Sequence, residues 1–430
     1  MGKLMFFVNL NDNLLTKKIN MIKKLYTLAL CTYAILAMSC SDSDNDIQNP
    51  VGPDTTPDVE IDYSKVGVEY DDGKNIVFNV KIGIDKEGWE MRDREFFVTR
   101  LKRLWDEINV RFNNGALERR YIFVPDLEDI IVYESLGTKA ICGKDGETNW
   151  NALDKAVEDG RLDTDKYQIF VNLDFVPQVT GKGEGGGGCG WYKGISNILV
   201  INAGEKWDNK FYDHFDKKIA PNTAAAITHE LGHARGLIDI YNHPVTAANN
   251  PHWNQPFAPI EGIMHAKTYG SIADCTWSDY EIDVINLNAE KQGKPNLNYL
   301  YNCMCDWFAD ELEVHITENG KPVTESTVNF YNSNYDGGRK INREVYKTYS
   351  ANDVLTLDAH DLFWWGDWKK DDDAWKYHEL MLVEVINKET GHKGFSYLAN
   401  YEIHWQGIKD KRANRDTHSV YKLVIDIKGE

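Results

Sequence analysis

The stretch AAAITHELGHARGLIDIYNH, Ala224–His243, carries two histidines four residues apart, a glutamate directly after the first, then a glycine, an aspartate and one more histidine. Asn222 or Thr223 can cap a helix that starts just after Pro221, because their side-chain oxygens accept from the open N–H groups of a first turn. Ile227, Leu231 and Ala234 then recur at the spacing of a core-facing stripe, and His229 and His233 lie one turn apart on another face. Two imidazoles so placed can reach one zinc ion at about 2.0–2.1 Å.

Glu230 stands beside the first ligand, placed to take a proton from water without itself ligating. A catalytic zinc also needs a third protein ligand and an open fourth position, so the helix must stop and the chain must turn back. Gly236, three residues after His233, suits a left-handed helix end, and Asp239 follows three residues later. The string is H-E-x-x-H-x-x-G-x-x-D, a metallopeptidase pattern in its first five positions. His243 lies close enough to compete for the third-ligand role, although the fixed distance from Gly236 favours Asp239. The bland alternative is a helix with two ordinary surface histidines.

The extended string resembles that of the metzincin zinc peptidases, whose last ligand is a histidine in most members and an aspartate in a minority such as the snapalysins. The resemblance implies a turn downstream with a methionine beneath the metal, and EGIMHAKTYG offers Met264, 25 residues after Asp239. Several metzincins have a tyrosine two residues after that methionine; here the position is Ala266, and Tyr269 is out of register. The resemblance covers roughly residues 75–292 and implies Zn2+ as cofactor, His229, His233 and Asp239 as metal ligands, Glu230 as catalytic base and Met264 as a structural turn residue.

Outward from the motif, Ile76–Ile84 reads as a strand. MRDREFFVTRLKRLWDEINVRFN has one apolar face and reads as a long helix. YIFV, IIVY, YQIFVNL and ILVIN are short β-branched runs that read as strands. This order predicts an α/β (α+β) catalytic domain with a twisted mixed sheet and an active-site helix. GKGEGGGGCG at 181–190 contains a G-x-G-x-x-G match, but it precedes a strand rather than a helix, so it reads as a loop and not as a dinucleotide site. CTWSDYEIDVINLNAEKQ reads as a further helix with a Ser278–Glu281 capping box. From about residue 310, repeated short alternating runs separated by turns such as Asn319–Gly320 predict an all-β sandwich. The expected limits are 61–305 for the zinc peptidase domain and 306–430 for the sandwich.

The N-terminus reads as a targeting segment, residues 1–40. Lys23 and Lys24 precede a 14-residue apolar run, Leu25–Met38, and then Ser39 and Cys40. The run is short for a bilayer span and fits a secretory signal. Cys40 resembles the lipidated cysteine of bacterial lipoproteins, and Met21 reads as the start of the signal. Residues 41–60, rich in Asp, Pro and Ser, read as a tether. The acidic residues behind Cys40 resemble a surface-export signal of some Gram-negative lipoproteins. The expectation is an outer-membrane or cell-surface lipoprotein of a Gram-negative bacterium, or else a secreted protein, touching membrane only through its lipid anchor. A formal net charge of −19 argues against nucleic-acid partners.

Of seven cysteines, five lie beyond Cys40, an odd number that leaves at least one unpaired. Trp364, Trp365, Trp368 and Trp375 stand in a polar stretch beside Asp371–Asp373. The function these features imply is zinc-dependent endopeptidase action on extracellular proteins or glycoproteins, with a protein or peptide substrate. The alternative is a surface glycan- or protein-binding lipoprotein with a vestigial zinc site, in which the tryptophans do the binding.

Overall fold

The computed structural model describes residues 70–71, 73–90, 93–133, 156–174, 186–192, 195–201, 220–240, 243–265, 276–290, 307–335, 338–362, 379–414 and 416–428. The signal segment, Cys40, the tether, Ala266, Tyr269, the Trp-rich stretch and Asp371–Asp373 lie outside them, as do Cys142, Cys275, Cys303 and Cys305. Among the described residues no helix is long and apolar enough to cross a membrane. The chain divides into two compact units, Met1–Asn113 with Arg120–Leu231, and Asn114–Arg119 with Gly232–Glu430.

The first unit is built on a mixed sheet. Strand β1 (Tyr70–Asp71) and β2 (Asn75–Asp85) are followed by β3 (Arg120–Pro125), β4 (Ile131–Tyr133), β5 (Ile169–Asp174), β6 (Gly186–Tyr192) and β7 (Ile195–Ile201). Their order is β1-β2-β5-β7-β6, with β3 and β4 pairing the other edge of β2. β2, β3, β4, β5 and β7 run parallel, while β1 and β6 are antiparallel to their neighbours. Parallel strands are covered on both faces, and β2 is accordingly buried from Val77 to Asp85. That burial includes Lys81, whose Nζ lies 2.5 Å from Asp129 Oδ2 and 3.5 Å from Asp126 Oδ2; the Tyr167 hydroxyl donates to Asp126 as well.

The short helix α1 (Lys86–Glu90) leads into α2 (Arg94–Phe112). Asp93 caps α2 by accepting from the Phe96 N–H at 2.8 Å. Its stripe of Phe97, Leu101, Leu104, Trp105, Ile108 and Phe112 is buried. Two asparagines at its end take over the open edge of β3. Asn109 accepts from the Phe123 N–H at 2.8 Å and donates to the Phe123 carbonyl at 2.9 Å. Asn113 does the same for Tyr121, at 2.8 and 2.7 Å. The glycine-rich run departs from the loop expected for it: Gly186–Tyr192 is strand β6, held by its ladder to β7. Glycine carries no periodic signal, so the pairing partner decides its conformation.

In the second unit the helix expected over 275–292 spans Asp279–Glu290 (α4, following α3 at Ala220–Ala234). Beyond it the chain is β-rich. One sheet has the order β11 (Arg339–Ile341), β10 (Ser326–Tyr335), β14 (Leu380–Asn387), β15 (Lys393–Ala399), with β12 (Lys347–Ala351) also on β10. The other has β13 (Val354–Asp358), β8 (Glu311–Glu318), β16 (Val420–Ile427), with β9 (Lys321–Pro322) on β8. Asn319 and Gly320, at φ 50° and 75°, make the tight β8–β9 turn. Leu312, Val314 and Ile316 of β8 share one apolar core with Val328 and Phe330 of β10 and with Val383 and Val385 of β14, so the sheets stack as a sandwich. It is not all β: α5 (Asn400–Ala413) joins β15 to β16. The buried face of α5 includes Asn400, His404 and Gly407 beside Tyr401, Ile403 and Ile408, which hides its helical period from a hydrophobic pattern.

Candidate metal centre

Helix α3 spans Ala220–Ala234, starting slightly before the point expected, with Pro221 inside its first turn. Ala224, Ile227 and Leu231 are fully buried and fix which way the helix faces. His229 and Glu230 are nearly buried, at 3% and 6% exposure, and His233 is half-buried.

The helix ends in a paired turn. The Gly236 N–H donates to the His233 carbonyl at 3.0 Å, and the Leu237 N–H reaches back to the Gly232 carbonyl at 3.1 Å. This is a Schellman motif, which needs a left-handed residue at its centre, and Gly236 has φ +96°. A side chain there would also meet Asn288 Nδ2 of α4, whose amide donates to the Arg235 carbonyl. The helix end is thus held from inside and from α4.

The turn swings Asp239 back over the helix. His233 places Nδ1 2.9 Å from the Leu237 carbonyl and Nε2 3.1 Å from Asp239 Oδ1. A carbonyl can only accept, so with a metal on Nε2 the ring would carry its proton on Nδ1 and donate it to Leu237. His229, His233 and Asp239 each offer a ligand atom, and all three atoms lie within 4.8 Å of one another. Two ligands of a tetrahedral zinc at ~2.0 Å stand about 3.3 Å apart, which the 3.1 Å His233–Asp239 spacing fits. An imidazole steered by a backbone carbonyl on its other nitrogen is the usual support of a metal ligand. Two imidazoles and a carboxylate leave a tetrahedral ion one open position.

His243, the sequence-level competitor, lies elsewhere. It is fully buried, with Nε2 3.1 Å from Asn400 Oδ1 and its ring edge-on to Tyr401. Burial, assisted by the positive charge of Arg339, pushes its pKa down to about 3, so the ring is neutral.

Met264 is fully buried. Its sulfur lies 3.1 Å from where a Cβ on Gly232 would stand, so the methionine sits against the helix one residue before His233. Its carbonyl accepts from the Ile240 N–H at 3.1 Å, one residue after Asp239. The Ser278–Glu281 capping box forms, with the Ser278 N–H 2.6 Å from Glu281 Oε2 and the Glu281 N–H 3.3 Å from Ser278 Oγ. The same carboxylate also accepts from Met264 at 2.7 Å and Ile263 at 3.2 Å. Nothing in the sequence signals that second set of bonds, nor the Leu237 carbonyl behind His233.

No family model matches the chain, and no curated protein matches it in sequence. Among solved structures it is similar to wild-type OgpA from Akkermansia muciniphila, with TM-score 0.32 and 13% identity over 76% of this chain and 91% of that one. A chaperone–substrate complex gives TM-score 0.30 and 12% identity over 51% of this chain and 35% of the other. Both likenesses are loose, and the chemistry rests on the geometry of His229, His233 and Asp239.

Proposed function

We propose that the chain is a zinc-dependent endopeptidase that hydrolyses peptide bonds of extracellular proteins or glycoproteins. The observation that carries the reading is the His233 geometry, with Nδ1 tied to Leu237 and Nε2 set beside Asp239, His229 completing the group. Bound zinc supplies Lewis acidity, which acidifies water and polarises a carbonyl. Glu230, adjacent to His229 and shielded from solvent, takes the proton of the attacking water and passes it to the leaving amine. His233 and Asp239 hold their donor atoms in place through the Schellman turn, so the site is organised before substrate arrives.

The metzincin-like reading of the fold is supported by the order of elements: a mixed sheet, the helix with its glycine-terminated end, Met264 against that helix, and α4 after it. The domain limits 61–305 and 306–430 and anchorage through Cys40 to an outer membrane or cell surface are part of the same proposal. Zinc per chain, measured by elemental analysis on residues 41–430 and on a His229→Ala variant, tests the site. About one zinc, lost in the variant, supports it; none in either, after reloading, refutes it.

A further inference from the structure

We propose that Glu281 is a positioning residue for the metal centre, its buried carboxylate fixing the turn that seats Met264 beneath the helix of His229 and His233. The inference rests on the zinc reading above.

Glu281 is fully buried. A carboxylate taken out of water is costly unless its lone pairs are filled, and here three backbone N–H groups fill them. Oε2 accepts from Ser278 at 2.6 Å and Ile263 at 3.2 Å, and Oε1 accepts from Met264 at 2.7 Å. Closing the first turn of α4 requires only the Ser278 bond. The other two bonds reach 17 and 18 residues back along the chain to a separate loop. Gly262 makes room for them, since a Cβ at that position would collide with the Glu281 carboxylate.

What the carboxylate holds is joined to both flanks of the ligand set. Met264 presses on α3 at Gly232, next to His233, and accepts from Ile240, next to Asp239. The shared carboxylate therefore connects the start of α4 to the floor of the site. A helix cap alone would affect stability; a carboxylate holding the Met264 turn sets where His233 and Asp239 stand.

The test is Co2+ binding to the whole chain, read by its visible absorption and by titration, for the wild type, Glu281→Gln and Ser278→Ala. Glu281→Gln keeps the shape but places an N–H2 group against N–H donors. It is expected to weaken Co2+ binding by roughly tenfold or more and to change the absorption bands. Ser278→Ala loses the cap hydroxyl only, and is expected to lower the melting temperature with Co2+ affinity and spectrum unchanged. Affinity and spectrum unaltered in folded Glu281→Gln would overturn the role. If that variant does not fold, Gly262→Ala, which crowds the carboxylate while keeping its charge, decides on the same two readouts. A wild type that binds neither Co2+ nor Zn2+ would overturn the zinc reading itself.

Discussion

The Nε2 of His233 lies 3.1 Å from Oδ1 of Asp239, across a helix end that only a left-handed Gly236 closes. The contact makes Asp239, and not the buried His243, the partner of the two helical histidines. Asp239→Ala should therefore lose more metal affinity than the roughly 10–100-fold expected from removing a supporting contact. His243→Asn should bind zinc as the wild type does. Competition with a coloured chelator would measure both; tight binding by Asp239→Ala would remove it from the ligand set.

Glu230→Gln removes the proposed base and leaves the imidazoles and Asp239 in place. Zinc content should stay near that of the wild type, while turnover on a denatured protein substrate should fall by about 10²–10⁴. An active Glu230→Gln enzyme would assign the proton transfer elsewhere.

Gly236→Ala puts a side chain on a φ of +96° and against Asn288. Strain of this kind costs more than about 1 kcal/mol, so the urea midpoint should drop. Zinc affinity should drop with it, because the same turn returns Asp239 to the helix. A midpoint equal to that of the wild type would show that the turn tolerates a side chain.

His243 is neutral in the fold because burial and Arg339 hold its pKa at about 3. In the unfolded chain it titrates at about 6.5. Between those values the unfolded state carries the extra proton, so this residue's share of stability is complete above pH 6.5 and shrinks as pH falls. The slope is about 1.4 kcal/mol per pH unit for one proton. Denaturant unfolding at pH 6.5 and 5 should show that loss in the wild type and a smaller one in His243→Asn.

Lys81 is buried in β2 and faces Asp126. Burial alone would raise the Asp126 pKa, but the Tyr167 hydroxyl and the Lys81 charge outweigh it and hold the carboxyl below its ordinary value. Lys81→Met strands that carboxylate, and should cost about 3–5 kcal/mol in chemical denaturation. A loss under 1 kcal/mol would mean that the ion pair barely exceeds an apolar replacement.

The grouping of the three proposed ligands was legible because the geometry that joins them is local. One helix, its glycine end and the next three residues determine where His229, His233 and Asp239 stand, and spacing encodes all of that. The apolar stripe of α2 and the β-branched strands were legible for the same reason. What depends on distant partners was not. Asn400, which takes the Nε2 of His243, stands 157 residues away. Glu281 satisfied a local capping pattern so well that its bonds to Ile263 and Met264 left no further trace. Strand β6 and helix α5 were missed because glycine in one, and polar buried residues in the other, erase the periodicity that pairing and packing then impose.

The asparagine pair on α2 has a consequence for self-association. By occupying the outward N–H and C=O groups of Tyr121 and Phe123, Asn109 and Asn113 withdraw those groups from pairing with a second extended chain. Along these two residues the sheet is closed by side chains instead of by another strand, which disfavours the addition of a second chain at β3.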